Sequence, residues 1–275
     1  MFTNLAIQRL KHNYKNLYSS AMISEVRIGP FLCAVTTDSG FCGVSGIDHR
    51  VCNESSRREK LFGNFTPGGY RNQKVSALLE FTGKNPHLQA LKIAALNALT
   101  AHILADDTAV KTYGIIPAKD PVELLDEKNI RTICIVGAFE SYIRRYAERN
   151  IPFVVLELDK EAFAKEDLIY YRPAAEAYKV IPAADAIIIT ASAIANNTLQ
   201  ELLGQVRQGC QVLLTGPTGG FVPEIFFERG VTIIGSVRVN DSKSVMEAIS
   251  EGAFAYHLFG RGAEKICIVN ERTTP

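Results

Sequence analysis

The sequence predicts an α/β protein with two parts: an α+β half and then a half built on a parallel sheet. After residue 130, short apolar runs alternate with helical segments, and runs such as Ala186-Ile187-Ile188-Ile189 are apolar at every position. Strands of this kind are covered by helices on both faces of a parallel sheet. Before residue 105, three strand-like runs precede two helical segments, an order typical of α+β domains. A chain of 275 residues exceeds most single cores, so we expect two domains, 1–113 and 114–275.

Each element of the first half follows from the spacing of its apolar residues. Leu10, Tyr14, Leu17 and Ala21 recur at helical spacing and predict an amphipathic N-terminal helix. The polar stretch 48–73 predicts a long loop, a kind of segment that is often functional. The remaining predicted elements are strands at 23–28, 31–37 and 42–47 and helices at 74–81 and 86–104.

The second and third strands predict a hairpin whose register sets the positions of two cysteines. If Ser39-Gly40 forms a two-residue loop, Thr37 opposes Cys42. Cys33 and Cys42 then share one face of the hairpin but lie too far apart for a disulfide.

The second half begins after a predicted linker at 106–117. Asp120-Pro121-Val122-Glu123 is a helix start, with an Asp cap and Pro at the first helical position. Apolar runs and helical segments alternate from there. They predict strands at 130–136, 152–157, 185–190, 210–215, 231–235 and 265–269, with helices near 139–149, 198–207, 222–229 and 242–251.

Composition and charge exclude several classes of protein. Lys+Arg 30 against Asp+Glu 29 gives a net charge of +1, which provides no field for binding nucleic acid. The sequence contains no run of 18 apolar residues that would predict a membrane span, and its first residues show no signal-peptide pattern. We therefore expect a cytoplasmic protein. The six cysteines do not form a disulfide framework in that compartment. A homodimer is the default expectation.

Ligands of open parallel sheets bind beyond the carboxyl ends of the strands, and the first such end is Gly137. A dinucleotide-binding turn needs glycines where this chain has Phe139 and Tyr142, and these rings would crowd a pyrophosphate. The next strand ends near Glu157 and Asp159, at a spacing that suits a carboxylate on a ribose hydroxyl. The alternative is an exposed acid at the end of a strand.

The third and fourth strand ends supply further candidates for ligand binding. Thr190 ends the third strand, and Asn197 either caps the next helix or contacts a ligand. Gly216 and Thr218 lie in a Gly-rich turn whose backbone N–H groups would favour an anion, although a tight strand–helix connection also explains that turn.

Two further candidates lie in the first half. His49 and Cys52 place an imidazole and a thiol three residues apart in the predicted loop, where a divalent heavy metal would accept both ligands; an ordinary loop is the alternative. Asn97 lies mid-helix among small apolar residues. A buried amide there needs partners, either in a structural network or across in the second domain.

The chain resembles a heavy-metal chelation domain family that was formerly a domain of unknown function. The resemblance covers nearly the whole chain and implies an enolase N-terminal-like domain, a Rossmann-like domain and a site in the cleft between them. It does not extend to His49 and Cys52. The residues that carry it, in the family's order, are Ala95-Leu96-Asn97-Ala98-Leu99, Asp185-Ala186-Ile187-Ile188-Ile189-Thr190, Asn197-Thr198-Leu199, Gly216-Pro217-Thr218, Gly230-Val231, Gly235-Ser236-Val237 and Asp241.

Two functions from different classes are therefore expected. The first is binding of a small anionic or metal-chelating ligand in the interdomain cleft, with a role in heavy-metal chelation and with Asn97 facing the strand ends. The second is an enzyme that uses an adenosine-type cofactor such as S-adenosylmethionine, with Glu157 or Asp159 on the ribose. No GxSxG, Walker or HExxH motif names a reaction, so a binding module without chemistry is a third interpretation.

Overall fold

The computed structural model describes residues 1–48, 65, 67–82, 85–106 and 112–270. Helices and strands alternate along these residues in the order that follows. They are α1 (Phe2–Asn13), α2 (Lys15–Ser20), β1 (Ile23–Ile28), β2 (Leu32–Thr37), β3 (Cys42–Gly46), α3 (Val75–Glu80), α4 (Pro86–Ala105), β4 (Tyr113–Pro117), β5 (Ile133–Val136), α5 (Glu140–Glu148), β6 (Phe153–Glu157), β7 (Tyr171–Pro173), α6 (Ala177–Val180), β8 (Ala186–Thr190), α7 (Ser192–Ala195), α8 (Leu199–Gly204), β9 (Gln211–Thr215), α9 (Glu224–Phe227), β10 (Ile233–Val239), α10 (Ser242–Ser250) and β11 (Ala263–Asn270).

The first half forms a small antiparallel sheet in the order β1-β2-β3, covered on one face by α4, against which α3 packs. The predicted N-terminal helix is interrupted at Tyr14, which divides it into α1 and α2. Asn85 caps α4: its side chain accepts from the backbone N–H groups of His87 and Leu88, and Pro86 takes the first helical position.

α4 is the one helix in the described ranges that is long and apolar enough to cross a membrane. An 18-residue window of this helix is 72% buried inside the protein. Core helices pass the same test of length and composition, and α4 is apolar on all sides because it is packed on all sides.

The predicted register of the β2–β3 hairpin is wrong by one residue. Thr37 N–H donates to Phe41 O at 2.9 Å, so the loop has three residues and ends on Gly40 in the left-handed region, φ +86°. Cys42 therefore pairs with Thr36 rather than with Thr37. Because a one-residue shift moves side chains to the other face, Cys33 and Cys42 point into different parts of the core.

The second half forms an eight-stranded sheet in the order β4-β11-β10-β9-β8-β5-β6-β7. The strands from β10 to β7 are parallel, whereas β11 pairs antiparallel with both β10 and β4. Two strands were not predicted. The segment expected as a linker contains β4, an edge strand, and the three-residue β7 forms the opposite edge.

The two halves interlock. α10 from the second half packs on β1 and β2, so the small sheet lies between α4 and α10. Two hydroxyls join the halves on the other side: Thr218 Oγ1 accepts from Gly46 N–H and Thr100 Oγ1 accepts from Val222 N–H, each at 3.1 Å. One apolar cluster contains buried residues of both halves. The predicted α/β class is confirmed, while the domain boundary and the likeness to enolase stay predictions.

Candidate functional site

A cavity of about 650 Å³ lies at the carboxyl ends of β5, β6 and β8. The chain proceeds from β5 to β6 on one side of β5 and later places β8 on its other side. The strand order therefore reverses between β5 and β8, and this reversal is where open α/β sheets bind ligands. We call this cavity the switch-point pocket. Its volume lies within the range of small-molecule sites.

Gly137 forms the floor of this pocket in a conformation that favours glycine. Its φ is +108°, and a Cβ there would stand 3.1 Å from the Thr190 side chain. The first three backbone N–H groups of the turn are already used. Gly137 N–H donates to Leu156 O, Ala138 N–H to the Glu157 carboxylate and Phe139 N–H to Gly137 O. These groups are therefore not available to a phosphate. The predicted crowding of a pyrophosphate by the Phe139 and Tyr142 rings stays a prediction.

The carboxylate of Glu157 is held in place by backbone N–H groups from two strand ends. Its Oε2 accepts from Ala138 at 3.1 Å, and its Oε1 accepts from Leu158 at 2.6 Å and from Asp159 at 3.2 Å. Glu157 is the last residue of β6 and is half-buried. This is the position at which Rossmann-type sheets present an acid to a ribose hydroxyl.

Asp159 lines the same pocket, but its side chain caps a turn and is not bound by neighbouring strand ends. Its Oδ1 accepts from Glu161 N–H at 2.9 Å and caps a short 3₁₀ turn, and the residue is exposed. Of the two predicted acids, Glu157 therefore has the geometry of a fixed ligand-binding group and Asp159 that of a cap.

The rest of the wall is apolar and acidic. Alanine and leucine residues dominate, and the third carboxylate is that of Glu201. No Lys, Arg or His lines the pocket in the described ranges. Four wall residues were not predicted from the sequence: Ser192, Asn196, Thr198 and Glu201. The available signal was their position in the turns and short helices that follow Thr190 at the end of β8.

Three predicted site residues lie at the junction of the two halves instead of in the switch-point pocket. Asn97 Nδ2 donates to Val44 O at 2.7 Å and to Pro217 O at 2.9 Å. Thr218 is buried and its hydroxyl accepts from Gly46 N–H, and Gly216 N–H donates to Gly235 O at 3.0 Å. Asn97 does reach the second half, as one interpretation predicted, but its partner there is a backbone carbonyl and it does not face Gly137.

Asn197 follows the end of β8 along the chain but does not line the switch-point pocket. It has a left-handed φ of +62° and is exposed in the wall of a second cavity. The predicted cap is wrong: Thr198 is the N-cap residue of α8, and no described side chain caps that helix. Asn196 instead closes a turn before the helix, where its Oδ1 accepts from Thr198 N–H at 3.1 Å and from the Thr198 hydroxyl at 2.7 Å.

Metal ligands are sparse in the part of the chain that the structure describes. His49 and Cys52 lie outside it, and no group of three or more His, Cys, Asp or Glu side chains within it is placed to hold a metal. Burial raises the pKa of the Cys42, Cys210 and Cys267 thiols to about 11 and that of Cys134 to about 12. Since metals bind the thiolate, these cysteines act as small apolar residues.

Comparison with known proteins places the chain among uncharacterised relatives. Two family models, each described as "Putative heavy-metal chelation", match residues 13–100 and 120–268. Over 154 residues the chain is 25% identical to an uncharacterized protein of Methanocaldococcus jannaschii. That alignment covers 56% of this chain and 55% of the relative, so the chain spans about half of the relative's length.

Two solved structures share the whole fold. One is a protein of unknown function from the DUF364 family of Pyrococcus horikoshii, with a TM-score of 0.73, 21% identity and coverage of 96% of this chain and 99% of that one. The other, also of unknown function and from the same family, is from Desulfitobacterium hafniense, with a TM-score of 0.70, 16% identity and coverage of 98% and 97%. At these identities the likeness concerns the fold alone.

Proposed function

We propose, on the premise that this chain belongs to the family described as "Putative heavy-metal chelation", that it binds a nucleoside-type ligand without a phosphate in the switch-point pocket. S-adenosylmethionine is the cofactor that fits this description. The observation that carries the proposal is the Glu157 carboxylate, fixed by three backbone N–H groups at the end of β6. A carboxylate held in this way is ready to accept from the two hydroxyls of a ribose.

The occupied N–H groups of the Gly137 turn support a ligand without phosphate. In dinucleotide-binding sheets this turn donates to the pyrophosphate. Here Ala138 donates to Glu157 instead, so a phosphate would meet a carboxylate where it needs donors. The phosphate of a nucleotide therefore finds no donor at this turn and weakens binding, whereas a nucleoside has no phosphate to place there.

The charge of the pocket supports a neutral or cationic ligand. Glu157, Asp159 and Glu201 line it, and the described wall carries no basic side chain. An anionic ligand, the first expectation from the sequence, would be repelled here. S-adenosylmethionine carries a sulfonium and has no phosphate, so it matches both properties of the pocket.

Glu157→Gln is the variant that tests this proposal. We expect it to weaken binding of S-adenosylmethionine by tenfold or more, since a hydrogen bond to a charged group contributes about 1.5–3 kcal/mol. Thermal shift and calorimetric titration would measure the loss, with adenosine, AMP and NAD as comparison ligands. The wild-type protein should bind adenosine and S-adenosylmethionine but not AMP or NAD.

Asp159→Asn is the matched control for this experiment. It removes a charge from the same pocket, yet an Asn at this position can still cap the 3₁₀ turn. We expect nearly unchanged affinity. Equal losses in the two variants, or AMP binding as tightly as adenosine, would contradict the assignment of Glu157 to a ribose.

A second candidate function is binding of a metal inside a small chelating ligand, and the family description favours it. The described residues contain no cluster that would hold a metal on side chains. We therefore expect elemental analysis after desalting to find substoichiometric metal on the protein alone, and more when a divalent metal and a small chelator are supplied together. Stoichiometric metal without a chelator, lost in the His49→Ala, Cys52→Ala double variant, would instead support those two residues as ligands.

A further inference from the structure

A second cavity, of about 810 Å³, lies beside the switch-point pocket between α1, the end of α3 and the start of α4. Asn196 lines both cavities, so their ligands would be neighbours. Lys92 lies in the wall of the second cavity and is only 8% exposed. Lysine is rarely buried without a partner of opposite charge, so this side chain is unusual.

The ammonium of Lys92 has no counter-charge in the described part of the chain. Its Nζ donates to the backbone carbonyl of Phe81, and it forms no ion pair with any residue that the structure describes. Glu80 lines the same cavity but is engaged elsewhere, by Lys11 at 2.8 Å and by the Tyr18 hydroxyl at 3.0 Å. Burial lowers the pKa of Lys92, as expected for a cation held by one neutral partner.

A structural role explains only part of this arrangement. Phe81 is the residue that ends α3, so Lys92 caps the carboxyl end of that helix. α3 has six residues, and any neutral donor would satisfy one carbonyl at lower desolvation cost. The cap does not explain why this donor is charged. The Lys92 side chain also lines a cavity large enough for a small molecule.

We propose that this second cavity binds a small monocarboxylic acid whose carboxylate pairs with Lys92. Among the described residues Lys92 is one positive charge without a counter-charge and so matches one negative charge, while the carboxylates of Glu80 and Asp48 in the wall of the same cavity oppose a dianion such as phosphate. The apolar side chains of Ile7, Leu79 and Phe81 line the cavity and suit the body of the acid.

The test compares anions on the wild-type protein and two lysine variants at constant ionic strength. Benzoate and propionate should raise the Tm of wild type in a saturable way, whereas phosphate and chloride should not. In Lys92→Met we expect the benzoate shift to disappear. Lys15→Met is the control, because Lys15 is exposed and does not line this cavity; it should keep the full shift.

A measurement on the wild-type protein covers the case in which Lys92→Met does not fold. Competitive acetylation with peptide mapping should show benzoate slowing the modification of Lys92 several-fold and leaving that of Lys15 unchanged. Benzoate shifts that persist in Lys92→Met, equal shifts with chloride, or unprotected Lys92 would each overturn the proposal. These probes contain no nucleoside, so their outcome is independent of the switch-point pocket.

Discussion

Gly43→Ala is expected to destabilise the protein by about 3 kcal/mol or to prevent folding, because overpacking at a rigid contact costs that much or more. β3 lies directly on the backbone of α4 at this residue. A Cβ on Gly43 would stand 2.2 Å from Ala94 O and 2.3 Å from Ala98 N. Both atoms belong to the backbone of a buried helix, so neither can rotate away, and the sheet and α4 would have to separate.

Urea denaturation would measure the effect of Gly43→Ala as a lower midpoint at unchanged slope. Gly204→Ala is the control, since Gly204 ends α8 with nothing within 4 Å of the added Cβ. We expect that variant to be neutral or slightly stabilising, by about 0.5 kcal/mol. A Gly43→Ala protein within 1 kcal/mol of wild type would contradict the close approach of β3 and α4.

The sequence predicted the long apolar elements well because their signal is local. The run Ala186-Ile187-Ile188-Ile189 could only be a covered strand, and β8 is buried at each of those positions. The length of a turn is harder to predict from sequence. Ser39-Gly40 suits a two-residue loop, but Gly40 lies at the end of a three-residue loop in the structure. No pattern in the sequence predicted β4, because an edge strand on an antiparallel neighbour needs only a short apolar run.

The strand ends that form the candidate site could be predicted from the sequence, but which of them the rest of the protein covers could not. Gly137, Glu157 and Thr190 end strands that turned out to be neighbours, so a rule about strand ends places them in one pocket. The same rule also selected Gly216. The first half of the chain packs on the end of β9, however, and covers the turn that contains Gly216. Which strand end is covered depends on tertiary packing, and no local pattern encodes it.

Asn97→Asp is expected to cost about 3 kcal/mol or more at neutral pH, since this amide donates to backbone carbonyls of both halves. Its NH₂ group donates to Val44 O and Pro217 O, and two acceptors fix its orientation. A carboxylate of the same shape would place negative charge against both carbonyl oxygens and leave them unsatisfied. Asn97→Leu, which keeps the volume without the charge, should cost about 2 kcal/mol for the two lost hydrogen bonds.

The pH dependence separates the charge effect from the loss of the bonds. The new carboxyl at position 97 should have a folded-state pKa above its unfolded value of about 3.9. Its penalty is then fully present above the folded-state pKa and disappears as pH falls below the unfolded value. Urea midpoints at several pH values should show Asn97→Asp approaching Asn97→Leu in acid, whereas the exposed Asn16→Asp follows wild type throughout. A constant difference between Asn97→Asp and Asn97→Leu across this range would show that residue 97 does not face the two carbonyls, and the link between β3 and the Gly216 turn would have to be reassigned.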